Sequence, residues 1–238
     1  MVTPGPVTSA SANDRGIPRP EHDDVLGLVL CGGRSVRMGR DKGALELGDR
    51  TLVERAASVL DDVADLVVLA TGDAPRYAAS GRGAVLDGRY SGAGPVAGLA
   101  AGLAEARARG RRWLAVLACD MPAVTAEPLR ALLARARAQN LDACLFEHAG
   151  TPEPMLAVYH VRALGPVRRA IAAGRVRMID FHRGFGELRV DRTALGCEKE
   201  DPDSRGRARA WTSNVNTPAD WRRAVSNSGP QRSDSEDA

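Results

Sequence analysis

The chain has 238 residues, 44% hydrophobic and 26% charged, with a formal net charge of +3. That length and balance suit one large α/β domain or two small ones and exclude a disordered or fibrous chain. No run approaches the ~20 apolar residues that a membrane-spanning helix needs, and basic residues are interleaved with acids while aromatics make up only 4%, so neither a membrane nor a nucleic acid is expected as partner.

Residues 1–24 are rich in Pro, Ser, Gly and charge and are expected to form a disordered tail. They hold no apolar run, so no secretory signal is expected, and a cytoplasmic location follows by default. The first strand is Val25 to Cys31. Thr51 to Leu60 has Leu52, Ala56 and Val59 at helical spacing. Leu66 to Ala70 is a buried strand, and Ala84 to Leu86 a short one. Val96, Leu99, Ala100 and Leu103 form a helical stripe. Trp113 to Ala118 is a strand that ends at Cys119-Asp120. A helix follows from about Glu127, with Thr125 as N-cap, Pro128 in its first turn, and Leu129, Leu132, Leu133 and Ala136 facing the core. Asp142 to Phe146 and Pro154 to Tyr159 are strands, Val161 to Ala173 is a helix, and Gly186 to Val190 is a late strand. Residues 191–210 lack periodicity and are expected to be a flexible insertion. Thr217-Pro218-Ala219-Asp220 has the chemistry of a helix start. The tail from residue 226 resembles the first in composition. A single domain over residues 25–225 is therefore expected. Strands alternating with helices predict an α/β fold: a mostly parallel central sheet with helices on both faces.

The four cysteines, Cys31, Cys119, Cys144 and Cys197, contain no C-x-x-C pair, so no zinc site is expected. Cys31, Cys119 and Cys144 lie in or beside apolar runs and read as core residues. Of four histidines, only His182 sits where it could approach a site, and a surface or core role is the expectation. No nucleophile elbow is present.

The strongest chemical signal is Leu30-Cys31-Gly32-Gly33-Arg34-Ser35-Val36-Arg37-Met38-Gly39-Arg40-Asp41-Lys42, directly after the first strand. Two glycines alone would mark an ordinary turn. With Arg37, Gly39 and Lys42 the segment becomes a phosphate cradle, whose backbone N–H groups approach an anion while the cations follow a triphosphate. It is neither a Walker loop nor a G-x-G-x-x-G fingerprint. The second signal is Asp87 through Gly94-Pro95-Val96-Ala97-Gly98, a glycine-rich opening to a helix; the alternative for Asp87 is a plain turn residue. The third is Cys119-Asp120-Met121-Pro122. A carboxylate leaving a buried strand suits Mg²⁺, which takes one or two carboxylates plus phosphate oxygens and water; helix capping is the alternative. The fourth is Asn214-Val215-Asn216-Thr217-Pro218. Its two Asn side chains share a face if the stretch is extended, or else it is an asparagine turn before a capped helix.

These four segments resemble the motifs of the molybdenum cofactor guanylyltransferases: G-G-x-S-x-R-M-G-x-D-K, D-x6-G-P-L-x-G, C-D-x-P and N-x-N-T-P. The resemblance spans roughly Leu26 to Val225, and Glu153-Pro154-Met155-Leu156-Ala157-Val158-Tyr159 is similar to a strand of that family that reads as mainly structural. It implies a Rossmann-like three-layer α/β/α nucleotidyltransferase that joins GTP and molybdenum-molybdopterin with Mg²⁺ and releases pyrophosphate. It implies catalytic roles for Arg37, Lys42 and Asp120, with Asp120 as metal ligand. Nucleotide contacts would come from Leu30, Cys31, Gly32, Gly33, Lys42, Thr71, Asp87, Gly94, Pro95 and Asp120, and acceptor contacts from Asn214 and Asn216. Further partners so implied are a molybdenum insertase and molybdoenzyme chaperones. Related cytidylyltransferases carry Ala-Ala-Gly where this chain has Cys31-Gly32-Gly33, which favours guanine. Three departures stand: Val96 replaces Leu, Thr71 replaces an Asn near the nucleotide, and the insertion before Trp211 is long. The alternatives are a relative using CTP or another phosphorylated acceptor, and a non-catalytic carrier of the pterin or nucleotide.

Overall fold

The structure, a computed structural model, describes residues 23–32, 41–178, 188–193, 206 and 209–227. Apolar residues on both faces make a strand that needs cover on both sides. Strand β1 (Val25–Leu30) is such a strand, with all six residues buried. It lies between β4 (Leu66–Ala70) and β6 (Trp113–Ala118), parallel to both. With β5 (Gly83–Val85), β7 (Ala143–His148), β8 (Thr151–His160) and β9 (Val190–Thr193), these build a seven-stranded sheet in the order β5-β4-β1-β6-β8-β7-β9. Only β8 runs against the others. The chain leaves β1 toward β4 and β5, then returns to the far side of β1 as β6. The carboxyl ends of β1 and β6 therefore form the switch point of the sheet, where ligands of such folds bind.

Helices cover both faces. Alternate residues of β1 point to opposite sides, so Val25 and Val29 join one core with α1 (Leu52–Asp61) and α3 (Ala126–Ala138). Leu26, Leu28 and Leu30 join another with α2 (Pro95–Ala108) and α4 (Leu164–Ala172). This is the expected three-layer α/β/α architecture. Helix α5 (Pro218–Asn227) closes the described chain.

Several boundaries differ from the sequence reading for physical reasons. Thr51 is not the first helical residue but the cap of α1: its hydroxyl accepts from Glu54 N–H, and Glu54 reaches back to Thr51 N–H. The strands about residue 150 form a longer hairpin, because Ala149 (φ 49°) and Gly150 (φ 75°) both take the left-handed backbone of a tight turn. Val161–Ala163 is a 3-10 turn ahead of α4. The late strand is β9, of which the sequence reading included only Val190. Asp191, Arg192 and Thr193, assigned to a flexible insertion, instead pair in parallel with Cys144, Leu145 and Phe146. Asp191 also forms an ion pair with Arg135 of α3. A short charged edge strand carries little periodicity, which is why the pattern missed it. The tail boundaries shift too. The Asp24 carbonyl accepts from the backbone N–H groups of Arg112 and Trp113, and α5 extends to Asn227. The small hairpin β2 (Glu46–Leu47) and β3 (Arg50–Thr51) was not anticipated.

Close backbone approach shapes the switch point. A Cβ on Gly32 would lie 2.8 Å from Gly72 N and 3.1 Å from the Thr71 carbonyl carbon, so the turn after β1 presses on the turn after β4. A Cβ on Gly98 would meet Leu30 at 2.9 Å and Ala70 at 3.2 Å, so the first turns of α2 lie directly on the ends of β1 and β4. Two outcomes follow from this packing. Gly32→Ala should lower unfolding free energy in a denaturant titration by about 1–3 kcal/mol, because backbone cannot move aside cheaply. Thr51→Ala should cost about 1 kcal/mol in the same measurement. The Thr51 backbone N–H, then its hydroxyl, hold the Glu54 carboxyl below its ordinary pKa. The contribution of that carboxylate is thus present above its unfolded pKa and lost as pH falls through the folded value.

Candidate active site

A cleft of about 220 Å³ opens at the carboxyl ends of β1, β4 and β6. Leu30, Cys31 and Gly32 form its floor on one side, with Ala118, Cys119 and Asp120 on the other. Asp87, Gly94, Pro95 and Gly98 form the wall at the start of α2. Lys42 and Asp41 enter from the segment after β1, and Met155 from β8. The sequence-chosen residues from three separate segments therefore share one cavity. Gly33 and Arg37 lie outside the described residues, as does His182.

The centre of the site is the Lys42 ammonium. It donates to Asp120 Oδ2 at 3.1 Å and to Asn216 Oδ1 at 2.7 Å. Both ion-pair side chains are 20% exposed, so the pair is shielded but open to a ligand. Local structure delivers each member. Lys42 heads a 3-10 turn, Lys42–Ala44, capped by Asp41 Oδ1 accepting from Gly43 N–H. Asp120 follows directly on the buried end of β6. The Asp120 carbonyl accepts from Val215 N–H at 2.8 Å, which draws the C-terminal segment onto the site. Trp211 packs edge-on against Phe146 and anchors the same segment from behind.

The two asparagines do not act on one face. Asn216 meets Lys42, whereas the Asn214 Oδ1 is buried without a hydrogen-bond partner among the described residues. Glu153 on β8 accepts from Met155 N–H. Burial raises its pKa, the bond from Met155 N–H opposes that rise, and the charge of Asp120 adds to it. Beyond Asn214 lies a second cavity of about 650 Å³, reached by Arg55, Pro122 and Arg223. Glu153 was read from sequence as part of a structural strand. It lines neither the cleft nor the second cavity.

Thr71 also differs from its expected place. It is 1% exposed and its hydroxyl donates to Ala74 O at 2.8 Å, so it braces the turn after β4 rather than lining the cleft. Asp87 does line the cleft, half-buried, and burial first and Asp73 second raise its pKa. The buried Cys31 thiol is pushed up to about 12 by burial, and burial raises the Cys119 thiol as well. Both are protonated packing groups at neutral pH, without the thiolate a nucleophile requires.

A cluster not anticipated from sequence stands beside Lys42. Tyr77 donates its hydroxyl to Asp41 Oδ1 at 2.5 Å. Burial first, and then Asp41, raise the pKa of that phenol. Arg76 donates to Thr71 O at 2.7 Å, to Cys31 O at 3.5 Å and to Asp41 Oδ2 at 3.4 Å. Tyr77 has φ 62°, a left-handed backbone that costs a non-glycine residue roughly 1–2 kcal/mol.

Comparison with known proteins agrees with this geometry. Residues 27–185 match the family described as MobA-like NTP transferase domain. A protein of Opitutus terrae named probable molybdenum cofactor guanylyltransferase is 37% identical over 74% of this chain and 86% of its own length. The molybdenum cofactor guanylyltransferase of Pseudomonas putida KT2440 is 35% identical over 80% of this chain and 92% of its own. The crystal structure of molybdopterin-guanine dinucleotide biosynthesis protein A from Archaeoglobus fulgidus superimposes with a TM-score of 0.64 at 25% identity, covering 85% of this chain and 97% of that one. A sheet with its switch point at Lys42 and Asp120, and a match over most of the chain, lead to one assignment: this chain belongs to the MobA-like NTP transferase family and is a nucleotidyltransferase.

Proposed function

We propose that this chain transfers GMP from GTP to the terminal phosphate of molybdenum-molybdopterin, forming the guanine dinucleotide form of the cofactor and releasing pyrophosphate. The observation that carries this reading is the meeting of Lys42, Asp120 and Asn216 beside the cleft at the switch point. An oxygen of the acceptor phosphate forms the new bond to the α-phosphorus, and the bond from that phosphorus to the bridging oxygen of pyrophosphate breaks, taking its electron pair with the leaving group. The nucleophile is already an anion, so the protein needs no strong general base. Its tasks are positioning and charge neutralisation.

The backbone of Leu30, Cys31, Gly32 and Gly33 holds the nucleoside, with Asp87, Gly94 and Pro95 on the facing wall. Lys42 and Arg37 offset phosphate charge. Asn216 and Asn214 meet the acceptor, and the arginines of the neighbouring cavity give it the sign that a phosphorylated pterin requires. Asp120 fits a divalent cation: among the described residues its Oδ1 carries no hydrogen bond, it faces the cleft, and Mg²⁺ needs few protein ligands when phosphates supply the rest. Mg²⁺ bound there supplies neutralising charge to the triphosphate. Among the described residues no helix is long and apolar enough to cross a membrane. We assign the chain to the cytoplasm as a single domain over residues 25–225, with a molybdenum insertase and molybdoenzyme chaperones as its neighbours in use.

Incubating the chain with molybdenum-molybdopterin, Mg²⁺ and GTP, CTP or ATP in turn, and weighing the product, tests base and acceptor together. GTP should yield the guanine dinucleotide and one pyrophosphate per product. A cytidine product, or binding with no pyrophosphate, would sink the reading. Asp120→Ala should lower kcat at least about a thousandfold with the melting transition retained. Lys42→Ala should lower kcat/KM for GTP about a hundredfold; unaltered kinetics would remove Lys42 from the phosphate site.

A further inference from the structure

Lys42 reaches its partners only if the short turn that carries it is held in place. That turn is capped by Asp41 Oδ1, the same oxygen that accepts the Tyr77 hydroxyl. The next residue, Gly43, is buried against Tyr77: a Cβ there would strike the Tyr77 hydroxyl and ring and Val53 Cγ2. Arg76 adds a bond to the other oxygen of Asp41 and holds the carbonyls of Cys31 and Thr71 at the ends of β1 and β4. Its guanidinium also lies 5.7 Å from the centre of the Tyr77 ring. These two residues leave β4, not the glycine-rich segment, so they brace that segment from outside. The left-handed backbone of Tyr77 is retained although a bulky side chain disfavours it, as expected where surrounding contacts over-determine a conformation.

Resting on the nucleotidyltransfer reading, we infer that Tyr77, seated by Arg76, is a positioning residue for the reaction: through its hydrogen bond to Asp41 it sets the turn from which Lys42 meets Asp120, Asn216 and the triphosphate. Tyr77 itself does not line the cleft. Its loss acts on charge neutralisation as pyrophosphate departs, and therefore on kcat more than on KM.

Tyr77→Phe keeps the ring against Gly43 and deletes only the hydroxyl. With whichever triphosphate the wild type turns over, kcat should fall about tenfold while KM for that nucleotide moves less than about twofold. In the Lys42→Ala background the same change should cause almost no further loss, because the hydroxyl acts through Lys42. Asp41→Asn weakens the link from its other end and should show the same kcat loss, not additive with Tyr77→Phe. This variant decides the matter if Tyr77→Phe melts early. Wild-type kcat in both variants, or a Tyr77→Phe loss that adds in full to Lys42→Ala, would overturn the inference while leaving the parent reading intact. A wild-type chain that turns over no triphosphate would overturn both.

Discussion

One ammonium group ties the site together. Lys42 lies 78 residues before Asp120 and 174 before Asn216, yet it binds both. A single carboxylate at the mouth of a sheet is an ordinary feature. An ammonium brought to one point with an amide oxygen and a carboxylate that fits a divalent cation, largely shielded from water, makes a site suited to an anion. The low local exposure strengthens each interaction, and the open cleft leaves room for phosphate oxygens to join them.

The scaffold achieves this through packing that has nothing chemical about it. Parallel strands buried on both faces bring the ends of β1 and β6 side by side, with Leu30 in register with Ala118. Glycine at positions 32 and 98 lets the turns after β1 and β4 and the start of α2 converge on the ends of β1 and β4 without a side chain between them. The C-terminal segment, fastened by Val215 N–H to the Asp120 carbonyl and by Trp211 to Phe146, closes the opposite side. The acidic pair of roles is also divided. Asp120 faces the cleft, whereas Glu153 stands outside its lining and accepts from Met155 N–H.

Much was legible in the sequence because two periodicities dominate it. Continuous apolar runs such as VLGLVL and WLAVLA specify interior parallel strands, and the stripes of α1 and α3 specify covering helices; both signals are local and survive without a partner. The glycine and acid motifs at strand ends were legible for the same reason, since a close backbone turn and a carboxylate at a strand end demand particular residue types at short spacing. Tertiary contact alone decided the rest. β9 paired with β7 despite its charge, Asn216 reached Lys42 while Asn214 did not, and Arg76 and Tyr77 came to brace Asp41. Each of these depends on which distant polar group lies within about 3 Å, and no periodicity along a chain encodes that distance.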